Sequence, residues 1–456
     1  MDTIGSDSLA RSSTERMEMG RALRDGAPRS AHAEWHPVPN RRDVIDILEE
    51  SNLGRVPDLI PIRYGRMLAS SFAFLRGSAA LMAADLASTP VSGIRVQACG
   101  DCHLANFGLF ATPERNLVFD LNDFDETLPA PWEWDIKRLA ASFVVAGRAN
   151  GLKDRANEAA ARVLSASYRA RLRQYAAMRV LDVWYSRLDD KTLIASAPNV
   201  KARQYRERVA AKARASVAEY LFPKITGFVD GHRRLADQPP LIYHLPQQSE
   251  TEDRVRTMLA SYHDSLPGHL RKLFDHYHFE DFAFKVVGVG SVGTRCFVVL
   301  FLAESNDPLL LQVKEARPSV LEAYAGKGRY EHRGQRVVVG QRLMQSASDM
   351  FLGWMSGADG THYYVRQLRD MKFSVPLEGI QSDQLARYAD LCGWVLARAH
   401  AKGGDAALIS GYLGKSDAFD QALGKFALAY ADQNEQDYQS MVEAVGSGRV
   451  QAISDQ

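Results

Sequence analysis

Gly100-Asp101-Cys102-His103-Leu104-Ala105-Asn106, followed by Phe119-Asp120-Leu121-Asn122-Asp123-Phe124-Asp125-Glu126, is the stretch on which the reading of this chain turns. It follows Ile94 to Cys99, where apolar and polar residues alternate with the period of a half-buried strand. Phe107 to Phe110 and Leu117 to Asp120 read as two short strands, joined by a turn that contains Pro113 and Asn116. An Asp five residues before an Asn, with a second Asp at the end of the next strand, is the layout of a phosphotransfer site. Asp101 would accept the proton of an attacking hydroxyl, while Asn106 and Asp120 would hold Mg²⁺, an ion suited to oxygen ligands. Asp123 and Asp125 are rivals for the metal role. The bland alternative is an acidic turn closed by Asx hydrogen bonds.

A second stretch lies far downstream. Gly288-Val289-Gly290-Ser291-Val292-Gly293 separates two apolar segments, Phe282 to Val287 and Cys296 to Phe301, that both read as strands. Strand, glycine loop, strand is the arrangement that folds a flap over nucleotide phosphates, because glycines let backbone N–H groups approach without Cβ clashes. A plain hairpin turn would look the same. The next strand, Leu309 to Val313, ends at Lys314, a cation placed to pair with the α- and β-phosphates. A carboxylate on the following helix would orient it: Glu331 is the first candidate and Glu322 the second. Arg76-Gly77 and Lys137-Arg138 are further candidates to touch substrate.

With these residues in view, a resemblance can be named. Gly100-Asp101-x-His103-x-x-Asn106 is similar to the catalytic loop of small-molecule kinases of the aminoglycoside and choline kinase type, with Cys99 where those kinases usually carry His. The resemblance implies that His103 supports this loop and that Asp135, in Trp134-Asp135-Ile136, braces it through its backbone. Leu396-Ala397-Arg398-Ala399-His400 resembles the helix that precedes that loop. The order differs: the catalytic loop and metal Asp come first here, and Gly288, Gly290, Ser291, Gly293 and Lys314 come later. The chain thus resembles a circularly permuted kinase. From about residue 40 to about residue 440 it also resembles the uncharacterised bacterial family called domain of unknown function 2252. That likeness rests on the motifs above together with Gln312-Val313-Lys314-Glu315-Ala316 and Val365 to Lys372.

The resemblance implies an α+β, bilobal, protein-kinase-like fold in permuted order. Residues 1–40 read as a flexible tail, being polar and poor in large apolar side chains. Residues 41–278 form a helical lobe with catalytic loop and metal Asp, 279–370 a small antiparallel sheet lobe, and 371–456 helices returning to the large lobe. Ser70 to Ala87 reads as one buried helix, and Gly227 to Pro246, with Pro239-Pro240, as an irregular linker. The expected ligands are ATP and Mg²⁺, with an unknown hydroxyl-bearing acceptor, a small molecule rather than a protein. Nucleotidyl transfer to a protein and a non-catalytic nucleotide-binding module are the alternatives.

Composition narrows the rest. Fifty-six Lys and Arg against fifty-five Asp and Glu leave a net charge of +1, so bulk charge gives no support to a nucleic-acid partner. The longest purely apolar run, Cys296 to Ala303, is far short of the ~20 residues that span a bilayer. Met1 to Trp35 has no apolar segment of signal-peptide type, and four cysteines are too few for a disulfide framework, so a cytoplasmic address is expected. Cys99-Gly100-Asp101-Cys102-His103 fits the C-x-x-C-H pattern of haem attachment, but that chemistry calls for export, and a redox pair would sit at a helix start.

Overall fold

The apolar run Cys296 to Ala303 forms an inner strand of the largest sheet in a computed structural model, which describes residues 10–229, 231–244, 248–304, 307–368 and 371–454. Strand Cys296–Ala303 pairs antiparallel with His278–Lys285 and Asp307–Glu315. The six-stranded order continues through His362–Gln367 and Gly353–Ser356 on one side and Ile242–Tyr243 on the other. Phe282, Val299, Leu311 and Val365 pack with Tyr262 and Phe274, whereas Ala283, Val298, Leu300 and Leu310 pack with Phe222 and Ile225. Both faces are covered, which is why these strands read as unbroken apolar runs rather than alternations.

The rest is a mainly helical body, giving a mixed α+β chain. Its main helices are Trp132–Ala149, Asp154–Ala176, Ser382–Gly403 and Ala418–Gly446. Leu164, Tyr168, Leu172 and Tyr175 on the second and Leu385, Tyr388, Cys392, Leu396 and His400 on the third are buried in one core, as their helical spacing predicts. Gly393 lets those two helices touch: a Cβ there would lie 2.4 Å from Leu164 O. Strands Phe107–Ala111 and Leu117–Leu121 pair antiparallel as expected, and Arg95–Ala98 pairs with Leu128–Pro131. Among the described residues no helix is long and apolar enough to cross a membrane.

Three expectations are corrected. The tail is not free over residues 12–35: Ser13–Ala22 is a helix with a Ser12/Glu15 capping box, seated on helix Ala406–Leu413. Small residues permit the crossing, since a Cβ on Gly20 would meet Leu408 O at 2.0 Å. Arg24 and Arg29 then donate to the carbonyls of Gly411, Tyr412 and Leu413, which a helix end leaves unpaired. Residues 1–9 lie outside the described residues. The single helix over Ser70 to Ala87 is two, Ser71–Gly77 and Ala79–Leu86, broken at Ser78, where Arg63 takes the Gly77 carbonyl. The supposed linker contains the hairpin Thr226–Val229 with His232–Leu235 and the edge strand Ile242–Tyr243. Its arginines and histidine obscure the strand pattern; Pro246 lies outside the described residues.

Candidate functional site

A cavity of about 1280 Å³ opens between the six-stranded sheet and the helical body. Asp101, His103, Asn106, Asp123, Asp125, Gly288, Gly290, Ser291 and Lys314 line it, so most of the residues singled out in the sequence converge there.

The loop after strand Arg95–Ala98 is built from its backbone outward. Gly100 has φ +87°, and a Cβ on it would lie 2.3 Å from Glu126 O. Asp135, in the first turn of helix Trp132–Ala149, accepts the N–H groups of Cys99 (2.8 Å) and Gly100 (3.0 Å). His400 Nε2 meets the same carboxylate at 3.2 Å, and its Nδ1 meets the Tyr168 hydroxyl at 2.7 Å. One turn along from Asp135, Arg138 Nε donates to Asp101 Oδ1 at 2.6 Å, and Asn106 Nδ2 donates to the Asp101 carbonyl at 2.8 Å. His103 is buried with Nε2 3.9 Å from Asp101 Oδ2, and burial, followed by Arg76 and Arg138, drives its pKa well down, so the ring is neutral. Gly100→Ala should therefore cost about 2–4 kcal/mol, from a disfavoured φ plus overpacking against Glu126, read as a lower urea midpoint.

Asp120 is not at the cavity. It is 0 % exposed, with Oδ1 accepting from Arg398 at 2.5 Å and Oδ2 from the Ser346 N–H (2.8 Å) and hydroxyl (2.7 Å). Its strand turns it toward helix Ser382–Gly403, and the acids that reach the cavity come from the loop after that strand. Asp125 holds both Lys314 and Tyr364: Lys314 Nζ donates to Oδ2, and the Tyr364 hydroxyl donates to Oδ1 at 2.6 Å. Burial would raise the Asp125 carboxyl, but Lys314 and Tyr364 hold it below the usual range. Burial and the charge of Asp125 push Asp123 up. Burial opposes the charge on Lys314, but Asp125 outweighs it and the ammonium is held charged.

Glu331 and Glu322 do not meet Lys314. Glu331 is exposed ahead of helix Arg333–Met344, and Glu322 accepts the Ser319 N–H at 3.2 Å. Where a helical carboxylate was expected, that helix supplies Arg336, which donates to the carbonyls of Thr127 (2.5 Å), Asp125 (2.8 Å) and Arg317 (2.8 Å) and so fixes the acidic loop. The glycine segment is pinned from the helical body: Arg55 donates to the carbonyls of Val292 and Gly290, and Arg66 to that of Val287. Gly293, at φ +86°, makes the turn but does not line the cavity.

Residues 55–444 match the family model of uncharacterised proteins conserved in bacteria, DUF2252. The chain belongs to this family. Comparison with curated proteins and with solved structures gives no match. The DUF2252 region begins at Arg55, the residue that ties down the glycine segment, and includes most of the residues that line the cavity.

Within the DUF2252 region the Cys pair sits under the loop rather than in the cavity. Cys99 Sγ, Cys102 Sγ and a carboxylate oxygen of Asp135 lie within 4.8 Å of one another, all buried. Burial pushes both thiols up, and the carboxylate is already shared by two amides and an imidazole. Lys137 is fully buried away from the cavity, its Nζ 3.3 Å from Pro90 O. Arg336, Tyr364 and Arg366 were missed in the sequence. Tyr364 and Arg366 stand opposite Lys314 and Gln312 in the sheet, and Arg366 falls within the Val365 to Lys372 motif, whereas Arg336, on a helix, has no local signal.

Proposed function

We propose that the protein is a phosphotransferase that moves the γ-phosphoryl group of Mg-ATP to the hydroxyl of a small molecule, in a kinase-like bilobal fold of circularly permuted order. The observation that carries this reading is convergence. Asp101 and Asn106, Asp123 and Asp125, Lys314, and Gly288 to Ser291 come from distant parts of the chain and line one cavity. Its volume is large enough for a nucleotide with an acceptor beside it.

The donor set fits a hard divalent cation. Asp123 and Asp125 are nearby carboxylates lining one cavity, and burial followed by the charge of Asp125 raises the Asp123 carboxyl, a cost that a cation would offset. Asn106, tied through its amide nitrogen to the Asp101 carbonyl, keeps its Oδ1 as a third oxygen ligand. Asp120, the first choice on sequence grounds, passes this role to Asp123 and Asp125. Bound Mg²⁺ would offset phosphate charge, and ATP would supply the phosphoryl group. Lys314 positions the phosphates, with Asp125 and Tyr364 holding it in place. Asp101 takes the proton of the acceptor hydroxyl on the oxygen that Arg138 leaves open.

Thermal unfolding tests the ligand assignment. Mg-ATP at about 100 times its Kd should stabilise the wild type by about 2.7 kcal/mol, a rise in Tm of several degrees. Asp123→Asn should lose the Mg²⁺-dependent part of that rise. No rise with any nucleotide in the wild type would count against the reading.

A further inference from the structure

Arg76 stands apart from the other arginines of the cavity. Arg55 spends its donors on the Val292 and Gly290 carbonyls, Arg63 on Asn52 and the Gly77 carbonyl, Arg317 on the Ser51 and Leu53 carbonyls, and Arg366 on Gln312 and the Asn122 carbonyl. Arg76 lines the same cavity, yet its Nε is buried without a hydrogen-bond partner among the described residues. Asp101 and Asp123 are close enough to act on its charge. The Asp101 Oδ1 atom, however, is already taken by Arg138.

Its backbone is fixed from both sides. Arg138 holds the carbonyl before it, on Leu75, and Arg63 holds the one after it, on Gly77. The glycine segment passes directly above: a Cβ on Gly290 would lie 3.4 Å from Arg76 O. The guanidinium therefore belongs to the space between the glycine segment, the catalytic loop and the acidic loop. Arg76 is partly buried, and a guanidinium whose buried Nε has no acceptor is costly unless a ligand brings one. A guanidinium fork matches phosphoryl oxygens in geometry as well as charge.

We infer that Arg76 is an anion-binding residue for a phosphoryl group, either the terminal phosphate of a nucleotide or a phosphate carried by the acceptor. The inference rests on the phosphotransfer reading for the source of the phosphate, not for the anion site itself.

Calorimetric titration of the full chain tests it, with Mg-ATP, Mg-ADP, and inorganic phosphate added to protein alone and to ADP-saturated protein. Arg76→Gln removes no protein hydrogen bond of the buried Nε and should keep a Tm near that of the wild type. If Arg76 holds the terminal phosphate, Arg76→Gln weakens ATP about 10- to 100-fold and leaves ADP unchanged. If it holds an acceptor phosphate, the variant leaves the ATP-to-ADP ratio unchanged and loses phosphate binding to the ADP complex. Arg76→Lys should restore part of whichever affinity is lost, because charge returns without the fork. Unchanged affinity for all these ligands in a folded Arg76→Gln overturns the inference. A wild type that binds no nucleotide, but binds phosphate in an Arg76-dependent way, overturns the phosphotransfer reading and leaves the anion site standing.

Discussion

Asp101→Asn is expected to lower turnover by about 10²- to 10⁴-fold, the range for removing a positioned general base, while nucleotide binding stays near wild type. The separation follows from the geometry. Asp101 is fixed by Arg138 on one oxygen, and its loop is braced by Asp135 and Gly100, so an isosteric amide keeps the fold. On the proposed phosphotransfer reading, nucleotide affinity would rest instead on Lys314 and the glycine segment across the cavity. Isotope-labelled ATP, incubated with a panel of hydroxyl acceptors, reads the rate, and mass spectrometry of the product distinguishes added phosphate from added AMP. Wild-type turnover in Asp101→Asn would remove Asp101 as the base. Products carrying AMP would replace phosphoryl transfer with nucleotidyl transfer.

Asp120→Ala is expected to destabilise the protein by about 3–5 kcal/mol, the usual cost of leaving one member of a buried ion pair unpaired. Arg398 would keep a buried guanidinium that has lost its carboxylate, and Ser346 would lose the acceptor for its N–H and hydroxyl. The double variant Asp120→Leu with Arg398→Met should recover much of the loss, because it removes the charge together with its partner. Urea unfolding of the single and double variants measures both effects. A stable Asp120→Ala that has lost its response to Mg²⁺ would return Asp120 to the metal site.

Asp120 also marks how much of the site is legible in the sequence. Motif spacing locates the acidic segment after Leu117–Leu121, and the cavity acids do come from it. Spacing does not say which of three acids turns inward, because that depends on where helix Ser382–Gly403 places Arg398. The partner of Lys314 illustrates the same limit. A helical Glu is a reasonable expectation from linear order, yet the carboxylate comes from Asp125, brought across by tertiary packing. Strands with both faces covered, such as Cys296–Ala303, are readable because their apolar runs are continuous. The docked helix Ser13–Ala22 is not, because its contact rests on Gly20 and on arginines capping carbonyls, a pattern without an apolar stripe.

The pairing of Lys314 with Asp125 sets an order on the birth of the molecule. The two residues are 189 positions apart, and at about 5–20 residues per second the ribosome needs about 10–40 s to reach the lysine after the aspartate has been made. Through that interval Asp125 has neither the Lys314 ammonium nor the Tyr364 hydroxyl that meet its carboxylate in the folded chain. Its final burial must wait for the sheet. A nascent chain stopped before Lys314 lacks the strands that complete the sheet wall of the cavity and also the charge that meets Asp125 on the opposite wall.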